Sequence, residues 1–376
     1  MVKRRFKNID GEVSLLGFGA MRMPLNSDDT KDIDIQAVTE MIDTAIDGGV
    51  NYFDTAYPYH AGESESTLRK VLVERYDRDK FYIATKLPVW KCNSYEDYEN
   101  TFAEQLENLG VDYFDYYLLH SLSRTSIEKH TKIGMIKFIE NMKCQGKAKH
   151  VGFSYHDDYY TFEKFLNQYH DSFDFVQLQL NYLDWDTLET HKCYDLCIKY
   201  GLPVVVMEPV KGGVLADISP KANSLLKTSK PDKSIASWAI SYAASMPNVL
   251  TVLSGMSNME QMKDNIDTLT NFEPLTDDDY NLLKTVVKEI QSMELIPCTG
   301  CEYCIDCPVG INIPNIFTLY NSIQHGKSVF EVAKLYNEID PNNRADKCIE
   351  CGNCTSICPQ NIPIPEHLKK IAKKFA

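Results

Sequence analysis

The chain alternates between two patterns of hydrophobic and polar positions. Short, nearly continuous apolar runs are typical of strands buried on both faces, and the stretches between them repeat apolar positions as amphipathic helices do. The apolar runs predict strands at 15–21, 50–56, 81–87, 113–120, 150–154, 173–181, 202–208 and 249–255. Helical patterns lie between them; Ser94 and Asp97, for example, predict the N-cap of a helix that ends at Gly110.

The regular alternation of eight strands with helices predicts the α/β class and, more closely, a (β/α)8 TIM barrel. A doubly wound parallel sheet is the alternative, but that fold usually has a glycine-rich turn between its first strand and a helix. The segment GFGAMRMP at 17–24 has only two such glycines, and no helical pattern directly follows them. The barrel is therefore preferred.

The barrel pattern begins after a hairpin signal around Asp10-Gly11 and changes character near residue 272. A helical stretch at 315–338 separates two cysteine runs near the end of the chain, which predicts a small, partly helical, ferredoxin-like module. We predict a barrel domain at 1–272, a helical linker at 273–296 and the module at 297–376. Loops that shape the barrel mouth are predicted at 24–33, 121–132 and 211–232.

The formal net charge of −14 limits the classes of partner. An acidic surface repels phosphate backbones and anionic lipids, so neither nucleic-acid binding nor membrane binding is expected. No apolar run approaches the roughly 20 residues of a membrane span. The basic N-terminus lacks the apolar segment of a signal peptide, so we expect a cytoplasmic protein.

Eight of the twelve cysteines lie in two short runs, CTGCEYCIDCP at 298–308 and CIECGNCTSICP at 348–359. The second run has the C-x2-C-x2-C-x3-C-P spacing of bacterial [4Fe–4S] ferredoxins, and the first is one residue shorter before its last cysteine. In two-cluster ferredoxins the fourth cysteine of each run binds the other cluster. We therefore predict two clusters, one bound by Cys298, Cys301, Cys304 and Cys358 and the other by Cys348, Cys351, Cys354 and Cys307.

Zinc and disulfides are the alternatives for these cysteines. Paired C-x-x-C motifs also bind zinc, usually with four cysteines per ion. Disulfide scaffolds belong mainly to short secreted chains. The triple C-x-x-C spacing and the endings Cys307-Pro308 and Cys358-Pro359 favour iron–sulfur clusters over both.

Polar side chains stand where three consecutive predicted strands end, and barrel enzymes carry out their chemistry at that end of the strands. Asp54 and Tyr59 follow the second strand, Lys86 ends the third, and His120 ends the fourth. An ammonium group lowers the pKa of a nearby tyrosine, and a carboxylate can hold that ammonium in place. These four residues therefore predict a site for acid–base chemistry at this end of the barrel.

The motifs FDTAYPYH, IATKLP and YYLLHS resemble the Asp-Tyr-Lys-His tetrad of the aldo-keto reductase family. The resemblance covers about residues 10–270, and the cysteine runs resemble the branch of the family that has a C-terminal ferredoxin domain. It implies that Tyr59 donates a proton to a carbonyl oxygen that His120 orients or polarises, and the family spacing from Asp54 makes Tyr57 the weaker rival for the donor. It also implies NAD(P)H as cofactor, with Ser154, Gln177 and Met207 on the nicotinamide side and Gln261 and Asn265 on the adenosine side. NADPH-selective members commonly have Arg where Gln261 stands.

Two loops add candidates for binding the cofactor phosphates. Lys211-Gly212-Gly213 is a cationic loop after the seventh strand, and Gly255, Ser257 and Asn258 lie between the eighth strand and its helix. Backbone N–H groups at a helix N-terminus favour anions. Barrels bind phosphorylated cofactors generally at these last loops, which leaves a flavin as the alternative to a nicotinamide cofactor.

The leading hypothesis is an NAD(P)H-dependent reductase of a small carbonyl compound with two [4Fe–4S] clusters. The alternative is an electron-transfer protein whose barrel binds a flavin or an electron-accepting substrate and whose clusters exchange electrons with a redox partner protein. A third hypothesis, a redox-sensing subunit, fits less well because the four residues at the strand ends are all present.

Overall fold

The computed structural model describes residues 1–270 and 272–375, which form two compact units. The first unit comprises Met1–Pro209 and Ala239–Leu275. The second comprises Val210–Trp238 and the chain from Thr276 onward. The chain therefore passes into the second unit, returns to the first and leaves it again. The segment Val210–Trp238 belongs to the second unit although it lies within the predicted barrel domain of 1–272.

The hairpin predicted around Asp10-Gly11 is present at the start of the chain. Its strands, β1 (Lys3–Arg4) and β2 (Val13–Ser14), pair in antiparallel fashion. Ile9 and Val13 are buried in one cluster with barrel residues that include Tyr52 and Tyr116. The hairpin segment thus helps to bury part of the barrel interior.

The predicted (β/α)8 barrel is confirmed, because eight parallel strands form a closed sheet. The last barrel strand pairs with the first through Val252 and Leu16, which closes the ring. The barrel strands are β3 (Leu16–Gly19), β4 (Tyr52–Asp54), β5 (Tyr82–Leu87), β6 (Phe114–Leu122), β7 (Ala148–Tyr155), β8 (Phe175–Gln179), β9 (Val204–Met207) and β10 (Val249–Ser254).

Helices connect the strands. They are α1 (Ile35–Asp47), α2 (Glu63–Leu68), α3 (Tyr95–Leu109), α4 (Arg124–Ile133), α5 (Met135–Cys144), α6 (Tyr159–Tyr169), α7 (Asp184–Thr187), α8 (Thr190–Tyr200), α9 (Pro220–Ser229), α10 (Ile235–Ala244) and α11 (Met259–Thr270). Ser94 and Asp97 form the predicted capping box of α3, and Gly110 ends the helix in a left-handed conformation. The loops predicted at 121–132 and 211–232 were partly wrong, since α4 and α9 occupy much of them.

The second unit adds α12 (Asp277–Gln291), α13 (Ile313–Asn321), α14 (Val329–Glu338), α15 (Asn353–Ser356) and α16 (Ile364–Phe375). Its core is built by α13, α14 and α16 through buried residues such as Phe317, Val332 and Ile371. Six cysteines of the two runs pack against this core: Cys298, Cys304, Cys307, Cys348, Cys354 and Cys358. None of the helices in the described ranges is both long and apolar enough to cross a membrane.

Candidate active site and cysteine module

Lys86 is the centre of the predicted tetrad. Its side chain is 1% exposed near the end of β5, and its Nζ donates to Asp54 Oδ1 at 2.5 Å and to the Thr55 carbonyl at 2.7 Å. The same Nζ lies 3.4 Å from Tyr59 Oη. The register of the parallel strands pairs Asp54 with Ala84, two residues before Lys86, which brings the carboxylate and the ammonium together. The structure thus assembles three of the four predicted residues through one ammonium group.

Burial and charge pairing act in opposite directions on this ion pair. Burial raises the pKa of Asp54 and lowers the pKa of Lys86, whereas the contact between the two groups lowers the pKa of the acid and raises that of the base. A pair buried this completely is held together because either charge alone would lose its hydration without compensation.

Tyr59 is held by an unusual backbone segment. The two residues after it, His60 and Ala61, have positive φ angles of 52° and 51°, a conformation that non-glycine residues seldom adopt. The imidazole of His60 holds this segment in place, since its Nε2 accepts from the Met23 N–H and its Nδ1 lies 2.9 Å from the Thr30 carbonyl oxygen. The loop therefore presents Tyr59 in a defined position.

His120 completes the predicted tetrad. Its ring lies edge-on to Tyr59, with the ring centroids 6.0 Å apart. Burial lowers the pKa of His120 well below its usual value, and the positive charge of Lys86 lowers it further. His120 is therefore a neutral imidazole at pH 7.

Two further side chains at this site were missed in the sequence. Trp90 is 45% exposed and its ring centroid lies 5.0 Å from that of His120. His156 follows β7, and its charge would interact with both Lys86 and His120. Burial, aided by Lys86, lowers the pKa of His156 to about 4. The site thus contains two neutral imidazoles beside the ammonium.

A buried carboxylate supports the strand that carries Lys86. Glu65 on α2 is 1% exposed and accepts hydrogen bonds from the Thr85 hydroxyl, the Gln105 amide and the Asn108 amide. The Gln105 amide also donates to the Lys86 carbonyl at 3.0 Å. Burial raises the pKa of Glu65, and these three donors oppose the shift. The network fixes the backbone of β5 directly behind the tetrad.

Replacing Glu65 with Ala should lower the free energy of unfolding by about 3 kcal/mol, because it leaves several buried donors without an acceptor. Chemical denaturation monitored by circular dichroism measures this change. Glu63→Ala is the matched control, since Glu63 is an exposed acid on the same helix and should cost less than about 0.5 kcal/mol. Equal effects of the two substitutions would contradict the supporting role of Glu65.

The residues predicted on the nicotinamide side lie on neighbouring strands. Ser154 on β7 and Gln177 on β8 are paired in register, and Met207 ends β9. The Ser154 hydroxyl oxygen accepts from the Ser121 N–H at 2.7 Å. Gln177 is 2% exposed, and its Oε1 has no hydrogen-bond partner in residues 1–270 and 272–375. A buried amide oxygen of this kind is suited to accept a hydrogen bond from a ligand.

The residues predicted on the phosphate and adenosine side form one loop and the start of α11. Asn258 accepts the Gln261 N–H, and the Gln261 side chain accepts the Ser257 N–H at 2.8 Å. The Asn265 amide is buried and donates to Ser254 Oγ. The Gly255 backbone is exposed beside these groups.

Arg22 is a cation next to this loop that was missed in the sequence. A Cβ atom on Gly255 would lie 3.3 Å from the Arg22 side chain. The guanidinium of Arg22 lies 3.9 Å from the carboxylate of Glu208. Arg22 lies in the segment GFGAMRMP, three residues after the end of β3.

Lys211 and Gly212, predicted to bind pyrophosphate, belong to the second unit. Within that unit Lys211 is 3% exposed and its Nζ donates to Gln360 Oε1 at 3.1 Å. A Cβ atom on Gly212 would lie 2.3 Å from the Thr299 carbonyl oxygen. Their phosphate role stays a prediction, whereas their packing against the cysteine module is observed.

The eight cysteines of the runs surround two cavities in the second unit. One cavity is lined by Cys298, Cys301, Cys304 and Cys358, which are the four predicted to bind one cluster. The other is lined by Cys307, Cys348, Cys351 and Cys354, which are the four predicted for the other cluster, together with Cys304. Among the residues that the structure describes, no three His, Cys, Asp or Glu side chains converge closely enough to hold a single metal ion.

The pKa shifts of two thiols, those of Cys304 and Cys354, have contributions from cysteines of the same predicted set. Burial, with contributions from Cys301, Cys298 and Cys358, raises the pKa of Cys304 to about 12. Burial likewise raises the pKa of Cys354, with contributions from Cys348 and Cys351.

The two runs also share a backbone conformation. The residues on either side of the second cysteine have positive φ angles in both runs: Gly300 and Glu302 in the first, Glu350 and Gly352 in the second. A third such residue, Gly310 or Asn361, follows each Cys-Pro pair. Because non-glycine residues seldom adopt this conformation, the repeat indicates that the two runs wrap their cavities in the same way.

Comparison with known families agrees with this geometry. The sequence model of the Aldo/keto reductase family matches residues 15–288. The chain belongs to the aldo/keto reductase family. It is accordingly an oxidoreductase, and a second family model, the 4Fe-4S dicluster domain, matches residues 297–362. The family resemblance stated from the sequence is thereby confirmed, while the roles of the individual site residues stay predictions.

Several aldo/keto reductases and related proteins are similar to the chain. The oxidoreductase YqkF of Bacillus subtilis is 26% identical over 77% of this chain and 97% of its own length. L-galactose dehydrogenase of Arabidopsis thaliana is 27% identical over 74% of this chain and 91% of its own. The NADH-specific methylglyoxal reductase of Escherichia coli is 23% identical over 69% and 90%.

Solved structures of aldo-keto reductases share the fold. One from Bacillus halodurans, in its holo form, has a TM-score of 0.62 and 24% identity, and the match covers 76% of this chain and 96% of that one. One from Klebsiella pneumoniae in complex with NADPH has a TM-score of 0.61 and 18% identity, with coverage of 78% and 97%. At these identities the likeness concerns the fold alone.

Proposed function

We propose that this aldo/keto reductase uses NAD(P)H to reduce a small carbonyl compound, with Tyr59 as the general acid, and that its module holds two [4Fe–4S] clusters. The observation that carries the reductase proposal is the position of Lys86 Nζ, 2.5 Å from Asp54 Oδ1 and 3.4 Å from Tyr59 Oη. That contact supplies what a tyrosine needs to act as an acid near neutral pH.

The chemistry follows from charge. A nicotinamide cofactor would supply the hydride to the carbonyl carbon, and negative charge would develop on the substrate oxygen. Tyr59 Oη donates its proton to that oxygen, and the Lys86 ammonium stabilises the phenolate left behind. Asp54 keeps the ammonium oriented and charged despite its burial. His120 is neutral, so it can orient the carbonyl by a hydrogen bond without competing as a cation.

The described residues fit a nicotinamide cofactor. The unpartnered Oε1 of Gln177 can accept a hydrogen bond from a carboxamide N–H group. The exposed backbone at Gly255 and the N-terminus of α11 are suited to phosphate, and Arg22 adds positive charge beside Gly255. Met207 ends the strand next to Gln177, where it would pack against the ring.

The cysteine module fits two iron–sulfur clusters. Each cavity is lined by the four cysteines of one predicted set, three from one run and the fourth from the other, which is the exchange of the fourth ligand found in two-cluster ferredoxins. Clusters of this kind supply one-electron transfer. Cys304 lines both cavities, so the two clusters would be close neighbours.

The proposal is tested by purifying the whole protein without oxygen and measuring iron, sulfide, zinc and flavin, then following NADH and NADPH oxidation with a panel of aldehydes and ketones. We expect iron and sulfide in equal amounts, no zinc, and carbonyl-dependent oxidation of the nicotinamide. Stoichiometric zinc without sulfide would contradict the clusters. Iron–sulfur protein that oxidises neither cofactor with any carbonyl would contradict the reductase.

A second function is supported by the exposure of the second cavity. Cys351 and the neighbouring Ile349 are exposed, and Ile349 is 60% exposed, so this cavity opens to solvent. Such a surface suits electron exchange with a redox partner protein, with a flavin in the barrel. Adding NAD(P)H without oxygen distinguishes the two functions: bleaching of the cluster absorbance only when flavin is bound would favour electron transfer.

Cofactor preference is expected to depend on Gln261, which stands where NADPH-selective members of the family commonly have Arg. Both preferences occur among similar proteins, which include an NADH-specific reductase and an NADPH-bound structure. Gln261→Arg should raise the kcat/KM ratio of NADPH over NADH about tenfold, because a guanidinium binds a 2′-phosphate through two hydrogen bonds. Gln168→Arg, which adds the same charge at an exposed position near the end of α6, is the control. An equal change in both variants would point to a general charge effect.

A further inference from the structure

The geometry points to Lys211 as a redox-tuning residue: its buried ammonium raises the reduction potential of one cluster, the one that Cys298, Cys301, Cys304 and Cys358 would bind. The inference rests on the proposed function, since it requires that cluster. This role of Lys211 involves only residues of the second unit.

The ammonium of Lys211 is tied to the wall of the first cavity. Its Nζ donates to Gln360 Oε1 at 3.1 Å, and Gln360 follows Cys358 by two residues. Gln360 itself lines the cavity with the four cysteines. Both partners are buried, Lys211 with 3% of its surface exposed and Gln360 with 8%. The positive charge is therefore one side chain away from the predicted cluster and is shielded from water.

The backbone around Lys211 is also locked to this cavity. Gly212 packs so closely on Thr299 that an added Cβ would lie 2.3 Å from the Thr299 carbonyl oxygen and 2.7 Å from its Cα. Thr299 stands between Cys298 and Gly300 and lines the same cavity. Lys211, Gly212 and Gly213 all have positive φ angles, of 49°, 62° and 96°. Such a conformation at a lysine is retained only where its surroundings impose it.

The expected direction follows from Coulomb's law. Reduction adds one negative charge to a cluster already bound by four thiolates, so a nearby cation stabilises the reduced form more than the oxidised form. Burial strengthens this effect because little water screens the charge. Glu302 also lines the cavity, but its side chain is exposed and its opposing charge is screened.

The effect should be specific to one cluster. Neither Gln360 nor Thr299 lines the second cavity, which is bounded instead by residues such as Ile349, Asn353 and Ile357. The two clusters would then differ in potential although their cysteine loops share one backbone conformation. The cluster beside Lys211 would hold the electron more tightly than its neighbour.

The test is an anaerobic redox titration of the whole protein, monitored by electron paramagnetic resonance, for the wild type and for Lys211→Met, Lys211→Arg and Lys221→Met. Lys211→Met should lower the equilibrium constant for one-electron reduction of one cluster about tenfold, which is 59 mV. Lys211→Arg, which keeps the charge, should restore the wild-type potential. Lys221 lies in the same unit but is 72% exposed, so Lys221→Met should change neither cluster.

The signals are assigned to the two clusters with the Cys301→Ala and Cys351→Ala variants. Unchanged potentials in a Lys211→Met protein with full iron content would overturn the inference, and so would equal shifts of both clusters. If Lys211→Met does not fold, Gln360→Glu places a carboxylate against the ammonium and should lower the same potential; no shift there would overturn it. Wild-type protein without iron and sulfide would instead overturn the proposed function.

Discussion

Replacing Tyr59 with Phe is expected to lower kcat for carbonyl reduction by about 10²–10⁴-fold while leaving cofactor binding intact. The substitution removes only the hydroxyl that lies 3.4 Å from Lys86 Nζ. Without that hydroxyl the developing charge on the substrate oxygen has no positioned proton donor, although Lys86 and Asp54 keep their contact. Steady-state and single-turnover kinetics measure the loss, and fluorescence titration measures cofactor binding.

Tyr57→Phe is the matched control for this prediction. It removes the same atom two residues earlier, where the Tyr57 hydroxyl donates to Glu104 at 3.1 Å. Its kcat should stay close to that of the wild type. A large loss in Tyr57→Phe together with an active Tyr59→Phe enzyme would transfer the role of general acid to Tyr57.

Replacing one cysteine in each run is expected to remove one cluster at a time. Cys301→Ala and Cys351→Ala should each lower the iron content from about eight atoms per chain to about four, because each removes a ligand from a different predicted set. Each variant should also unfold at lower temperature, since binding of a metal centre contributes directly to folding free energy. Iron and sulfide analysis and thermal unfolding of the anaerobic protein provide the measurements.

Cys144→Ala controls for the loss of a thiol, because Cys144 is exposed and lies outside both runs. It should keep the full iron content. If Cys301→Ala and Cys351→Ala removed the same cluster, or if both left the iron content unchanged, the assignment of the cysteines to two sets would be wrong.

Much of the fold was predictable because its signals are local. The apolar strand runs, the Ser94 capping box and the Asp10-Gly11 hairpin each depend on residues that are close in the chain, and all are present. The helix α4 was missed because its sequence RTSIEKHTKI is mostly polar and buries only His130, so it has little hydrophobic periodicity. The helical conformation of this segment therefore depends on its place in the fold and not on a pattern of hydrophobic residues.

The tetrad could be predicted because each residue stands close to the C-terminal end of a strand, and parallel register brings those ends together. The supporting residues could not. Glu65 looks like a surface acid on α2, and only the packing of α2 and α3 against β5 buries it beside Thr85 and Gln105. Trp90 and His156 approach His120 from the short connections that follow β5 and β7, whose conformation the sequence pattern does not specify.

The two cysteine sets show both what the sequence predicts and what it does not. Their spacing predicted which four thiols share a cavity, and the cavity linings match that assignment. Spacing did not predict the left-handed Glu302 and Glu350, because glycine is the residue expected there. Nor did it predict that Lys211 reaches Gln360, a contact between residues 149 positions apart.

The path of the chain through its two units bears on how the molecule can be divided. The segment Val210–Trp238 belongs to the second unit, where Lys230 binds Asp279 and Lys221 binds Glu289 on α12. A barrel cut off after residue 275 would therefore keep α9 without the helix it packs against. Grafting the second unit onto another reductase would require two insertions, one that runs from the end of β9 into α10 and one at the C-terminus. The second unit is thus a discontinuous part of the protein, and no single cut in the chain yields either unit whole.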